Sequence, residues 1–151
     1  MIDHKGFLSK CKQAAMNLGL SWPGYIAAQA ALESRYGTSQ LAVQAANLFG
    51  TKAHKGTPSE NTLSLPTKEW VTDHFEPTIA VWMKYQDWEA CLRDRQATLV
   101  RLAPQYPHYQ AALDAGDGET YIRELAHTWA TDPHYADKVL EVYNENADVL
   151  A

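Results

Sequence analysis

Cysteine, phenylalanine and basic side chains are scarce in this chain of 151 residues. Two cysteines, Cys11 and Cys91, are too few for a disulfide framework, and each falls on an apolar helical stripe, the ordinary place of a small buried thiol. Lysine and arginine number 13 against 18 aspartates and glutamates, a formal charge of −5. No basic cluster offsets that imbalance, and repulsion from phosphates excludes a protein built to hold nucleic acid. Nowhere does the sequence approach the roughly 18 consecutive apolar residues of a membrane span, and its first dozen residues lack the apolar core of a secretory signal. Synthesis in the cytoplasm without a signal peptide is expected, with release or injection by another route if the target lies outside. The six histidines never form H-E-x-x-H and no zinc-type cysteine spacing occurs, so neither a metal centre nor another cofactor is expected.

Against these shortages stand 46% hydrophobic and 21% charged residues, the balance of one ordinary globular domain spanning 1–151. Five tryptophans and eight tyrosines outnumber three phenylalanines. Rings with a polar handle suit a sugar- or peptide-rich surface as well as half-buried core positions.

Apolar residues at Phe7, Leu8, Cys11, Ala14, Ala15 and Leu18 predict a first helix from Asp3, its N-cap, to Leu18. Pro23 opens a second helix that runs to Tyr36 and stops at Gly37, and Ser39–Ala46 is a short third. Residues 51–62 have no hydrophobic period and read as a loop. Thr62–Val71 and Thr78–Tyr85 read as an antiparallel hairpin turning through T-D-H-F-E-P, within a β lobe of about residues 51–86. Asp87 caps a long helix closed by Pro104, Tyr106–Leu113 enters a short one, and Asp117–Trp129 forms another. T-D-P at Thr131–Pro133 supplies an N-cap and a first-turn proline for the last helix, ending near Asn146. The fold class is α+β: mostly helical, with a small β-hairpin lobe that leaves a groove.

One carboxylate stands in the otherwise uncharged run Trp22–Ser34. Glu33 has Ala30 at i−3, Gln29 at i−4 and Ile26 at i−7, so helical spacing sets it on the least polar side of its helix. Either it is a partly buried glutamate with a partner, or it is a general acid kept protonated by desolvation, as glycoside hydrolysis requires. Glu69 lies on the first strand of the β lobe.

Read in order, A-Q-A-A-L-E-S-R-Y-G, N-L-F-G-T-K, K-Y-Q-D-W-E-A, Y-P-H-Y-Q-A-A-L and W-A-T-D-P-H-Y-A-D-K cover nearly the whole chain. In these motifs the sequence resembles the endo-β-N-acetylglucosaminidases of glycoside hydrolase family 73. The resemblance implies a lysozyme-like fold and hydrolysis of the β-1,4 bond between N-acetylglucosamine and N-acetylmuramic acid in peptidoglycan glycan strands. It makes Glu33 the general acid and Glu69 a second carboxylate, with Asp73 and Glu76 as nearby rivals. It assigns Asn47, Phe49, Tyr109, Trp129 and Asp132 to the substrate side. Structural duties compete for three of them: a turn cap for Asn47, a core plug for Phe49 and an N-cap for Asp132.

Trp129 stands where the family usually carries tyrosine. An indole donates one hydrogen bond but offers no phenol oxygen, so either a neighbour, Tyr121 or Tyr135, supplies the hydroxyl, or the role is dispensable, or activity is reduced. A monomer working as a phage-type endolysin is the expected setting, with an injected effector or a piece of a larger autolysin as alternatives. Lytic transglycosylases or muramidases of the same fold, and an inactive peptidoglycan-binding module, are the rival functions.

Overall fold

The computed structural model describes residues 3–151. Helices α1 (His4–Asn17), α2 (Pro23–Ser34) and α3 (Gln40–Ala45) precede a hairpin of β1 (Thr62–Val71) and β2 (His74–Met83). Helices α4 (Trp88–Leu102), α5 (Pro107–Leu113), α6 (Gly118–Trp129), α7 (Tyr135–Glu145) and α8 (Ala147–Leu150) follow. This is the expected α+β architecture, and no helix among the described residues is long and apolar enough to cross a membrane.

Helix α2 is the axis of the helical body. Its alanines at 27, 28, 30 and 31, with Ile26 and Gln29, are wholly buried, and small side chains let α1, α6, α7 and α8 all pack against it. Leu8, Cys11, Leu92, Leu99, Ile122, Leu125 and Val139 fill the surrounding core. Both cysteines are free and buried. Burial pushes each thiol up to about 12, so neither is a nucleophile near neutral pH.

Four boundaries differ from the sequence reading. Helix α2 ends at Ser34, because the Ser34 hydroxyl donates to the Ala30 carbonyl (2.6 Å) and accepts from the Gly37 amide (2.9 Å). Arg35, Tyr36 and Gly37 then take left-handed backbone one after another. At Gly37 even a Cβ would sit 2.8 Å from the Phe7 ring, so glycine is required by space as well as by φ. The hairpin turn is tighter than expected: Val71 pairs with His74, leaving only Thr72 and Asp73 in the loop, so β2 begins four residues earlier than expected, and it ends at Met83, two residues short of Tyr85. Finally, the Asp132 carboxylate receives the His134 amide (2.8 Å), but α7 begins at Tyr135. Asp132 therefore caps the turn before α7 and not the helix itself, and Pro133 is outside the helix.

Alternation along the hairpin separates its faces. Leu63, Leu65, Thr67, Thr78, Ala80 and Trp82 are half-buried, whereas Ser64, Pro66, Ile79 and Val81 on the other face are exposed. From Lys68 to Pro77 every residue is exposed, so the outer half of the arm is held by its own pairing. Its tip carries a small clasp: His74 bonds Asp73 through Nδ1 (2.8 Å) and Glu76 through Nε2 (2.9 Å). Asp73 first, then Glu76, raises the His74 pKa above its ordinary value. The clasp thus contributes fully below the unfolded-state pKa and is lost as pH rises through the higher folded value. Ring-proton NMR should show His74 titrating above a histidine in an unstructured peptide, and Asp73→Asn should bring it down.

Candidate active site

Glu33 sits in the last turn of α2, half-buried. Its environment is less apolar than helical spacing alone suggested. The Tyr135 hydroxyl donates to its Oε1 at 2.6 Å, and the Trp129 indole N–H reaches the same oxygen at 3.3 Å. Tyr135, at the start of α7, thus places a phenol oxygen against Glu33, while Trp129, at the end of α6, supplies the N–H. The Tyr121 hydroxyl is used elsewhere.

Behind Glu33 lies a buried cation that the sequence reading did not single out. Arg95, on α4 and only 3% exposed, donates from Nε (3.1 Å) and Nη2 (2.7 Å) to Gln29 Oε1, and from Nη1 to the Tyr121 hydroxyl (2.9 Å). Its guanidinium carbon lies 5.2 Å from the Phe49 ring centroid, 5.8 Å from Tyr121 and 5.7 Å from Trp129. No carboxylate pairs with Arg95 among the described residues; three hydrogen bonds and three ring faces offset the cost of its burial.

Because an arginine only donates, the network has a direction. Gln29 must turn its carbonyl to Arg95, which sends its amide to the Tyr135 oxygen at 3.1 Å. Tyr135, having accepted there, has its proton free for Glu33 Oε1. Burial, followed by the Glu33 charge and hydrogen bond, raises the Tyr135 pKa far above that of a free phenol, so that proton is retained. With both donors on Oε1, a proton carried by Glu33 belongs on Oε2.

Phe49 is nearly buried, edge-on to Trp129 at 5.9 Å. Asn47, 1% exposed, donates to the Thr51 and Met83 carbonyls (2.9 and 3.0 Å) and accepts from the Thr51 amide (3.0 Å). It ties the loop carrying Phe49 to the base of the hairpin, which is positioning and not an open contact. That base is further fixed to α4, where Asp94 Oδ2 takes hydrogen bonds from Tyr85 (2.5 Å) and His54 Nε2 (2.8 Å).

The remaining sequence candidates stand apart. Tyr109 is 7% exposed, its ring packed 5.8 Å from Tyr106. Asp132 is bound to Lys138 at 2.6 Å; that ammonium first, then the His134 amide, holds its pKa below the ordinary carboxylate value. Glu69 is exposed on the arm directly opposite Glu76, and both lie on the hairpin face whose inner residues are shielded. The structure joins Glu33, Trp129 and Phe49, supports them through Asn47, and leaves Glu69, Tyr109 and Asp132 outside that network. Gln29 and Arg95 carried one available signal: two polar residues at buried positions of otherwise apolar helical stripes.

A mostly helical body with a two-stranded arm and one carboxyl group braced on its central helix defines a lysozyme-like glycoside hydrolase domain. Residues 9–148 match the glucosaminidase family, described as mannosyl-glycoprotein endo-beta-N-acetylglucosaminidase, and the chain belongs to that family, glycoside hydrolase family 73. Peptidoglycan hydrolase FlgJ of Vibrio parahaemolyticus is 35% identical over 138 residues, 87% of this chain and 42% of the relative. Exo-glucosaminidase LytG of Bacillus subtilis is 33% identical over 119 residues, 78% and 41% of the two chains. The chain therefore spans less than half the length of these relatives. Among solved structures, the catalytic domain of the autolysin Auto from Listeria monocytogenes superposes with a TM-score of 0.81 at 26% identity, covering 97% of this chain and 85% of that one. The glycoside hydrolase domain of Salmonella typhimurium FlgJ gives 0.76 at 28% identity, covering 97% and 99%.

Proposed function

We propose that this domain hydrolyses peptidoglycan glycan strands at the β-1,4 bond that leaves N-acetylglucosamine at the new reducing end. The observation that carries the reading is the braced carboxyl group of Glu33, with both protein donors on one oxygen and the other left to deliver a proton. Glu33 acts as general acid: its Oε2 proton passes to the glycosidic oxygen as the bond to the anomeric carbon breaks. Tyr135 and Trp129 then stabilise the carboxylate that remains, since hydrogen bonds to an ionised acceptor are the stronger kind. Glu69, on the exposed outer half of the arm, takes a proton from the attacking water, giving inversion at the anomeric carbon.

Digesting purified peptidoglycan, reducing the products with borohydride and identifying the reduced sugar by mass spectrometry tests the bond assignment. Reduced glucosamine supports it; reduced muramic acid, an anhydro end or no new end overturns it. Proton NMR of fresh product separates the two possible partners of Glu33. An α-anomer supports Glu69 and water, and a β-anomer assigns the attack to the substrate's own acetamido group. An endolysin-type role further requires that the isolated chain clear a suspension of killed cells, read as loss of turbidity.

The brace has its own test. Tyr135→Phe removes the shorter bond to Glu33 while preserving the ring. A hydrogen bond to a charged group contributes about 1.5–3 kcal/mol, so activity should fall by roughly ten- to a hundredfold in a folded protein. Circular dichroism and the rate on soluble glycan fragments together check this.

A further inference from the structure

Outside the Glu33 network, three potential metal ligands converge where α5 meets α6. His108 comes from the first turn of α5, and Glu124 and His127 lie at i and i+3 on α6. One ligand atom from each lies within 4.8 Å of the other two. His108 Nδ1 is already 2.8 Å from Glu124 Oε2, and the His108 and His127 rings stack at 4.1 Å. We propose that these three side chains bind one divalent transition-metal ion, with Zn2+ as the best fit, in a site that clips α5 to α6.

The donor set selects the ion. Two imidazoles and one carboxylate suit Zn2+, whereas Ca2+ and Mg2+ require mainly oxygen ligands. Tetrahedral coordination with bonds of about 2.0–2.1 Å places ligand atoms about 3.3 Å apart. The His108–Glu124 separation therefore opens by about 0.5 Å, the proton it holds is released, and the metal takes its place. The two rings now lie within 16° of parallel. One must turn until both lone pairs meet at the ion, giving up the stacking, and both histidines are exposed on the surface where such a turn meets solvent. Water fills the fourth position.

The site is separate from the proposed cleavage chemistry. On α6, Ile122 and Leu125 point into the core, whereas Glu124 and His127 occupy its outer side. The metal would therefore join two helices without touching Glu33. A search for contiguous ligand motifs misses it because 16 residues separate His108 from Glu124.

Isothermal titration of the chelator-treated protein with ZnCl2 at pH 7.5, paired with thermal unfolding, tests the assignment. One saturable site is expected, with a raised unfolding temperature when zinc is present. His108→Ala and His127→Ala should each weaken binding at least tenfold and remove the thermal shift, while His134→Ala, another exposed histidine, should alter neither. All three variants should keep the wild-type circular dichroism spectrum without metal. Absence of saturable binding overturns the proposal. So does a site of unchanged affinity in His108→Ala or His127→Ala. Peptidoglycan cleavage should proceed equally with and without chelator, so failure of the zinc site leaves the Glu33 reading standing, and the reverse.

Discussion

Glu33→Gln should fold as the wild type does and lose about a thousandfold in rate, within the range a positioned general acid contributes. The substitution isolates the proton. A glutamine carbonyl can still accept from Tyr135 and Trp129, the two groups that hold Oε1, and the amide occupies the volume of Oε2. What disappears is an acidic hydrogen at that second position. The unfolding temperature should therefore stay within a few degrees of wild type, and the loss should fall on kcat with soluble glycan fragments while KM changes little. A variant retaining a tenth or more of the rate would take Glu33 out of the mechanism. Glu69→Gln offers the useful contrast: on an exposed arm it should leave stability untouched and reduce the rate only if Glu69 activates water.

How much of this was legible in the sequence depends on the range of the interaction that decides it. Caps and proline positions act within a few residues, so Asp3, Ser39, Asp87 and Asp117 mark four helix starts and each accepts the backbone amide that makes it a cap. The sequence pattern predicts an α2 that continues through Tyr36, whereas the stop is made by the Ser34 hydroxyl. The predicted second strand starts late because Pro77 resembles a turn residue; on a two-stranded arm it can pair with Lys68 without removing a bond from a third strand. Glu33 was legible as an oddly placed carboxylate, and Tyr135 as one of two tyrosines that could replace a missing phenol. Which tyrosine does so was not legible, since the choice depends on Arg95 holding Tyr121 from a helix 26 residues earlier in the chain.

That long-range network carries the second large effect, at Gln29. Replacing it with methionine keeps most of the volume and removes both polar ends. Arg95 then loses the acceptor of two of its three hydrogen bonds while remaining buried. Stranding a buried charge costs about 3–5 kcal/mol, so the unfolding temperature of Gln29→Met should fall by on the order of 10 °C. Gln29→Glu separates stability from function. A carboxylate there still accepts from Arg95 and adds an opposite charge, so the fold should unfold within a few degrees of wild type near neutral pH. But it has no amide to donate to Tyr135, and the phenol then lies between two carboxylates with one proton to give. Whenever that proton turns to residue 29, Glu33 Oε1 loses its shorter bond. Gln29→Glu should consequently be stable and at least tenfold slower, whereas Gln29→Met should be both slow and unstable. If the two variants unfold at the same lowered temperature, Gln29 serves only to fill space. If Gln29→Glu keeps full activity, the direction of the Arg95–Gln29–Tyr135–Glu33 chain does not bear on catalysis. A stable but slow variant would show that the amide Gln29 donates to Tyr135, turned there by the buried Arg95, bears on the rate at Glu33 and not only on stability.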